Sequence, residues 1–346
     1  MIKSSIFELN PKNMRHPFLI AIYFLFGSTT IVVAQYTETL NSNRPGGSQG
    51  AFSVGTNVLQ FETGFNLGTE EHRLLGTETD AYGIDYSVRY GFFKEELEVS
   101  VMGEFQSNTV LDSRGAIATE RKFSNFRNNT VGVKYLFYDP NRKRQLEGPN
   151  LYSWKANNRT QWADLIPAIS LYAGANFDFA DNPFTPEQES TISPKIVLST
   201  QNNFIGGFVF VTNIIADRVT TDFPSYGYIV TLTHTPTAWF SVFVENQGIK
   251  SDFYADQIFR GGAAVLVTPN FQIDGSILLN FKDTPKRTYG RLGISYRFDM
   301  HDKDVFLENT GSQGRAKRKE AKAKKKAQKK NNKRKDGFEN EGGLMK

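Results

Sequence analysis

The feature of this sequence with the most chemical potential is a set of charged residues spaced along alternating segments. Glu62, Asp85, Arg89, Glu98, Glu104, Lys134, Asp274, Arg291 and Arg297 each fall on the polar side of a stretch in which apolar and polar residues alternate. Charges gathered on one face can neutralise one another as a salt-bridged plug, or line an aqueous path and select among the ions and solutes that cross it. Catalysis has less support. His16, His72, His234 and His301 are scattered, and His234 precedes Thr235-Pro236 at a turn. No H-E-x-x-H, P-loop or nucleophile elbow occurs, and Gly46 to Gly50 reads as a turn. The chain has no cysteine, which removes disulfides and thiolate-bound metal, and neither a metal nor a cofactor is expected.

The elements that must position these charges are strands. From Asn57 to Phe298 the sequence alternates with period two in twelve segments of about ten residues, the length that crosses a bilayer core as a tilted strand. Leu97, Val99 and Val101 oppose Glu98 and Ser100, and Tyr82, Ile84, Tyr86 and Val88 oppose Asp85, Ser87 and Arg89. The segments run at 57–68, 80–92, 96–105, 126–138, 164–177, 191–202, 204–216, 226–236, 238–249, 257–268, 270–281 and 287–298. A mean hydropathy of -0.42 is too polar for a bundle of spanning helices. The 29 Phe and 14 Tyr suit a lipid-facing band with aromatic girdles. The expected fold is therefore all-β: a transmembrane, antiparallel, up-and-down barrel of about 12 strands.

Connection lengths support this independently of hydrophobicity. Phe93-Lys94-Glu95, Gln201-Asn202-Asn203, Thr235-Pro236-Thr237 and Thr268-Pro269-Asn270 are short and of one parity, as periplasmic turns are. Gln106 to Phe123, Asp178 to Ser190 and Asp217 to Ser225 have the other parity and are longer. Asp139 to Ala163 breaks the rule and reads as a periplasmic insertion. Trp154, Trp162 and Trp239 then fall near the periplasmic rim, where an amphipathic indole is favoured.

Residues 1–34 carry Lys3, Lys12 and Arg15 ahead of an apolar run from Pro17 to Ala34, the pattern of a signal peptide. Residues 35–56 read as an N-terminal periplasmic segment, 57–298 as the barrel, and 299–346 as a linker and basic periplasmic tail. Between Arg315 and Asp336 thirteen Lys or Arg face only Glu320 and Asp336, a net of +11. Residues 1–34 contribute +2, so the rest of the chain carries -8 of the overall +5. A run of like charge such as Lys317, Arg318, Lys324, Lys325, Lys326, Lys329 and Lys330 is expected to be disordered and solvated, or to meet an anionic partner: peptidoglycan, lipid headgroups, or an acidic periplasmic or outer-membrane subunit. Export argues against nucleic acid. Both termini are expected in the periplasm of a Gram-negative cell.

Two motifs sharpen the reading. Arg291, Gly293, Tyr296 and Phe298 resemble the assembly signal of outer-membrane barrels: a polar residue, glycine two later, then aromatics five and seven later. The signal ordinarily ends a protein, whereas 48 residues follow Phe298 here. Membrane lipid and the outer-membrane assembly machinery are the partners it implies. Ser42-Asn43-Arg44-Pro45-Gly46-Gly47-Ser48-Gln49-Gly50, followed by Gln60-x-Glu62-x-Gly64, resembles the opening of the outer-membrane transporter family named for the MetA pathway of phenol degradation. That resemblance implies a porin-like channel or transporter for a small solute. The alternative is a non-conducting accessory or structural subunit of an assembly, secretion or envelope-attachment complex. Arg44 is expected to cap the periplasmic mouth through carboxylates such as Glu62.

Overall fold

The structure is a computed structural model, and it describes residues 40–140, 152–153, 165–178, 182–186, 189–204 and 206–300. The signal segment, most of the 139–163 insertion and the basic tail lie outside these residues. Twelve strands form: β1 (Val58–His72), β2 (Thr77–Gly91), β3 (Leu97–Asp112), β4 (Thr119–Tyr138), β5 (Ala168–Phe177), β6 (Ile192–Phe204), β7 (Phe208–Asp217), β8 (Ser225–Thr237), β9 (Phe240–Ser251), β10 (Ala255–Thr268), β11 (Phe271–Asn280) and β12 (Lys286–Asp299). Each pairs antiparallel with its neighbours in sequence, and β1 pairs with β12 to close the barrel. Closure leaves no unpaired edge, the condition for a sheet to exist in lipid.

The barrel is inverted relative to a water-soluble protein. In β1, Gln60, Glu62, Gly64 and Asn66 are buried, while Phe61, Phe65 and Leu67 between and beyond them are exposed. The same alternation exposes Ile84, Val133, Ile196, Ile214, Val244 and Ile273 on other strands. The most enclosed large side chains include Arg89, Arg297, Lys134 and Glu245, each at most 2% exposed. Burying ions while displaying aliphatic side chains is unfavourable in water and favourable when the outer face meets hydrocarbon. The barrel is membrane-spanning.

β12 seals the wall with its outward aromatics. Tyr296 and Phe298 pack edge to face at 4.6 Å, and Phe298 meets Phe61 of β1 at 5.7 Å. In the same strand Arg291 and Gly293 point inward. The four residues of the assembly motif thus divide between lipid and lumen.

β3 and β4 differ from expectation. They continue to Asp112 and start at Thr119, so most of the loop read at Gln106 to Phe123 is paired strand. Beyond the hydrocarbon zone the outer face no longer has to be apolar, and the ladder outlasts the alternation that announces it.

Candidate functional site: a lumen crossed by the N-terminal segment

Residues 40–56, the described part of the 35–56 segment expected to precede the barrel on the periplasmic side, run through its lumen. Leu40 enters at the β10–β11 turn, donating its N–H to the Pro269 carbonyl at 2.8 Å. Ser42 meets Ser295 of β12 at 2.8 Å. Further along, Gln49 exchanges two hydrogen bonds with the Asn213 amide of β7, at 2.7 and 2.8 Å. Ala51 donates to Gln201 of β6 at 3.0 Å, and Val54 to Glu98 of β3 at 2.9 Å. The segment then turns at Gly55 and Asn57, both with positive φ, into β1. Gly91 admits this turn, because any Cβ there would collide with the Gly55 carbonyl. A Gly/Ser-rich chain has few side chains to fill the bore, so its backbone N–H groups face the wall and wall side chains satisfy them.

Three charge clusters hold the segment. At the first, Arg89 grips Glu98 with two parallel bonds of 2.8 and 2.9 Å and reaches Glu62 at 3.3 Å. Lys134 lies 3.3 Å from Glu98 and donates to the carbonyls of Gly50 and Phe52 at 3.2 and 2.9 Å. Bidentate arginine–carboxylate pairing is among the stronger and more directional of polar contacts.

The second cluster is built on Arg44. Its guanidinium pairs with Asp85 of β2 and reaches Asp274 of β11 at 3.3 Å. Asp85 also pairs with Arg291 at 3.3 Å, and Arg291 donates to Asn66 at 2.8 Å. Gly64 and Gly293 face each other across the β1–β12 seam, and a Cβ on either would fall inside contact distance of the Arg44 guanidinium. Two motif glycines, one from each end of the barrel sequence, form the seat for one arginine. The expected partner Glu62 is not used, because it is engaged by Arg89, Gln60 and the Asn43 N–H.

The third cluster was not evident in the sequence. Glu245 of β9 accepts the N–H groups of Gly47 and Ser48 at 3.0 and 3.2 Å and the Thr231 hydroxyl at 2.8 Å. Arg260 of β10 pairs with it at 2.5 Å. The detectable signal was parity: Phe243, Glu245 and Gln247 lie opposite Val242 and Val244 in an ordinary alternating strand.

The sequence-derived lumen set, Glu62, Asp85, Arg89, Glu98, Glu104, Lys134, Asp274, Arg291 and Arg297, all points inward. Glu104 stands apart from the segment, holding Asn66 at 3.0 Å and lying 3.9 Å from Arg127. His234 stacks on Phe208 at 4.1 Å, and His72 accepts the Leu75 N–H within its hairpin. Outside the strands, burial pushes the Asp178 carboxyl above the usual aspartate range, although Arg218 at 3.4 Å opposes the shift. Burial likewise raises the Tyr254 hydroxyl in the β9–β10 connection.

Among the described residues, two polar cavities lie in the lumen. An outer one of about 410 Å³ is lined by wall residues near the long connections, among them Glu104, Arg127, Arg287 and Arg291. An inner one of about 210 Å³ is lined by Leu40 to Pro45 and by wall residues near the short turns, including Thr235 and Ser241.

A family model described as "Putative MetA-pathway of phenol degradation" matches residues 42–298, from Ser42 in the lumen segment to the last residue of the assembly motif. The chain belongs to this family. Among solved structures, an outer membrane channel from Pseudomonas putida F1 is 10% identical, with a TM-score of 0.47, covering 75% of this chain and all of that one. The NanC porin is 9% identical, with a TM-score of 0.43, over 68% of this chain and 98% of its own. The CymD monoaromatic hydrocarbon channel is 9% identical, with a TM-score of 0.38, over 71% and 89%. No curated protein matches. The phenol-degradation family model takes in Arg44, Gly64, Asp85, Asp274 and Gly293 together, so the whole arginine seat lies within the family's span.

Proposed function

We propose that this chain is a porin-like outer-membrane channel for a small solute, and that its own N-terminal segment sets the bore. The observation that carries the reading is the pair of polar cavities, about 410 and 210 Å³, on the two sides of a segment held by side chains instead of being built into the sheet. A purely structural barrel gains nothing from a hydrated lumen, whereas a channel needs one, with charged walls to tune what passes. The segment is retained by ion pairs and side-chain hydrogen bonds, interactions that can be exchanged for water. Both termini lie on the periplasmic side in this reading, supported by the entry of Leu40 beside the short β10–β11 turn. The basic run from Lys317 to Lys330 contacts an anionic periplasmic partner such as peptidoglycan, and a pulldown that recovers the same material without residues 315–335 would refute that part.

Liposome swelling tests transport. Proteoliposomes should swell in small sugars or amino acids and not in oligosaccharides, and faster when Arg44→Ala releases the segment. Vesicles with folded protein that swell no faster than empty ones would contradict the proposal.

A further inference from the structure

The inner cavity is bounded on one side by the crossing segment between Leu40 and Gly50 and on the other by β6 to β9 and β11. Its wall carries a ladder of hydroxyls. Thr231, Thr233 and Thr235 follow one another at period two along β8, and Ser241 stands on the adjacent β9. The alternation that buries Ile229 and Thr231 and exposes Tyr228 and Leu232 turns Thr233 and Thr235 to the lumen. Thr231 is spent on Glu245 at 2.8 Å. The hydroxyls of Thr233, Thr235 and Ser241 make no hydrogen bond among the described residues. Nor does the amide nitrogen of Asn43 on the segment side, whose oxygen accepts the Gly50 N–H at 3.0 Å.

This cavity holds almost no charge. Arg44 is the one charged residue lining it among the described residues, and its guanidinium is committed to Asp85 and Asp274. The outer cavity differs, with eight charged side chains, and each of its five cations lies 2.5 to 3.9 Å from a carboxylate. An ion brought beside the β8 ladder sheds water with no free opposite charge to receive it, which burial makes unfavourable. An apolar body there deprives the free hydroxyls of hydrogen-bond partners. A neutral polyol meets neither penalty, because each of its hydroxyls both donates and accepts, as those of serine and threonine do.

We infer that the inner cavity is a subsite for a short, uncharged polyol, held by Thr233, Thr235 and Ser241 on the wall and by the Asn43 amide on the segment. Its volume of about 210 Å³ equals about seven waters at about 30 Å³ each, room for a polyol of a few carbons and too little for an oligosaccharide. Asn43 precedes Arg44, so the occupant bonds the stretch of segment that the arginine seat anchors. The inference narrows the cargo of the channel reading and rests on it for the solute's route, whereas binding is read without conduction.

Saturation-transfer NMR on the full detergent-solubilised chain would use three probes of one chain length: erythritol, erythronate as the same body ending in a carboxylate, and 1,4-butanediol as the body without its two inner hydroxyls. Erythritol should bind at least about tenfold more tightly than either, a difference of about 1.4 kcal/mol. Thr233→Val combined with Ser241→Ala removes two hydroxyls with little change of shape, and should weaken erythritol about tenfold and butanediol far less. Thr235→Val alone should act in the same direction. Heat-modifiable migration in gels reports whether each variant is folded. No saturation transfer to erythritol, equal affinity for erythritol and either other probe, or folded variants that bind erythritol as the parent does, would overturn the subsite. Swelling of vesicles carrying the same samples separates the two readings: erythritol binding without swelling refutes the channel alone, and swelling without any binding preference refutes the subsite alone.

Discussion

Gly64→Ala tests the arginine seat with a single methyl group. The new Cβ would occupy the space of the Arg44 guanidinium, which must leave its position between Asp85 and Asp274. Asp85 keeps Arg291 as a partner, whereas Asp274, whose side chain is fully enclosed, loses the arginine that neutralises it. Breaking a buried ion pair by displacing one partner costs about 3–5 kcal/mol. That cost favours release of the segment by about 100- to 4,000-fold at about 1.4 kcal/mol per factor of ten. The chain has no cysteine, so a single introduced thiol can report this. Ser53 suits the purpose because it is buried and its hydroxyl has no hydrogen-bond partner among the described residues. Labelling of Ser53→Cys by a membrane-impermeant maleimide should be slow in the parent and at least about 100-fold faster with Gly64→Ala, the lower end of the range just worked. Equal rates in the two proteins would refute the seat.

Other outcomes follow from the same geometry. Glu245→Gln strips Arg260 of its carboxylate partner and the Gly47 and Ser48 N–H groups of a charged acceptor, and should cost about 3–5 kcal/mol in urea unfolding, against little for an exposed carboxylate such as Glu120. Ile273→Arg places a charge on the outer face and should cost about 2–4 kcal/mol in lipid; a neutral result would contradict the inverted barrel. Carbon-detected NMR should find the Asp178 carboxyl titrating above an ordinary aspartate. Because its folded value is raised, the contribution to stability is present at acid pH and lost as pH rises through that value. Arg218→Gln should raise Asp178 further, and a downward move would show that the arginine is not what restrains it.

The wall was legible because each strand repeats one instruction, apolar to lipid and polar to lumen, over enough residues to count. The short turns at Phe93 and Pro269 fixed the parity of the connections. Legibility failed where that instruction stops. Between Gln106 and Phe123 the chain leaves the hydrocarbon zone, and residues such as Asn108 and Thr109 stay in register without an apolar outer face. The lumen segment failed for another reason: Gly46 to Gly50 has the composition of a solvent-exposed turn, and its burial depends on acceptors such as Glu245, almost 200 residues away. Arg44 was recognised as an arginine needing a carboxylate, yet its partners follow from two glycines meeting at the seam, a tertiary fact. Gly64 and Gly293 each carry a motif, but nothing in either motif says that the other lies across from it.

The central claim is that residues 40–54 close an otherwise hydrated bore. Planar-bilayer recordings comparing the parent with a variant lacking those residues test it most directly, with folding of both checked by heat-modifiable migration. The parent should give small, fluctuating steps, and the deletion variant larger and steadier ones. A folded deletion variant that is silent, or that conducts no more than the parent, would contradict the account.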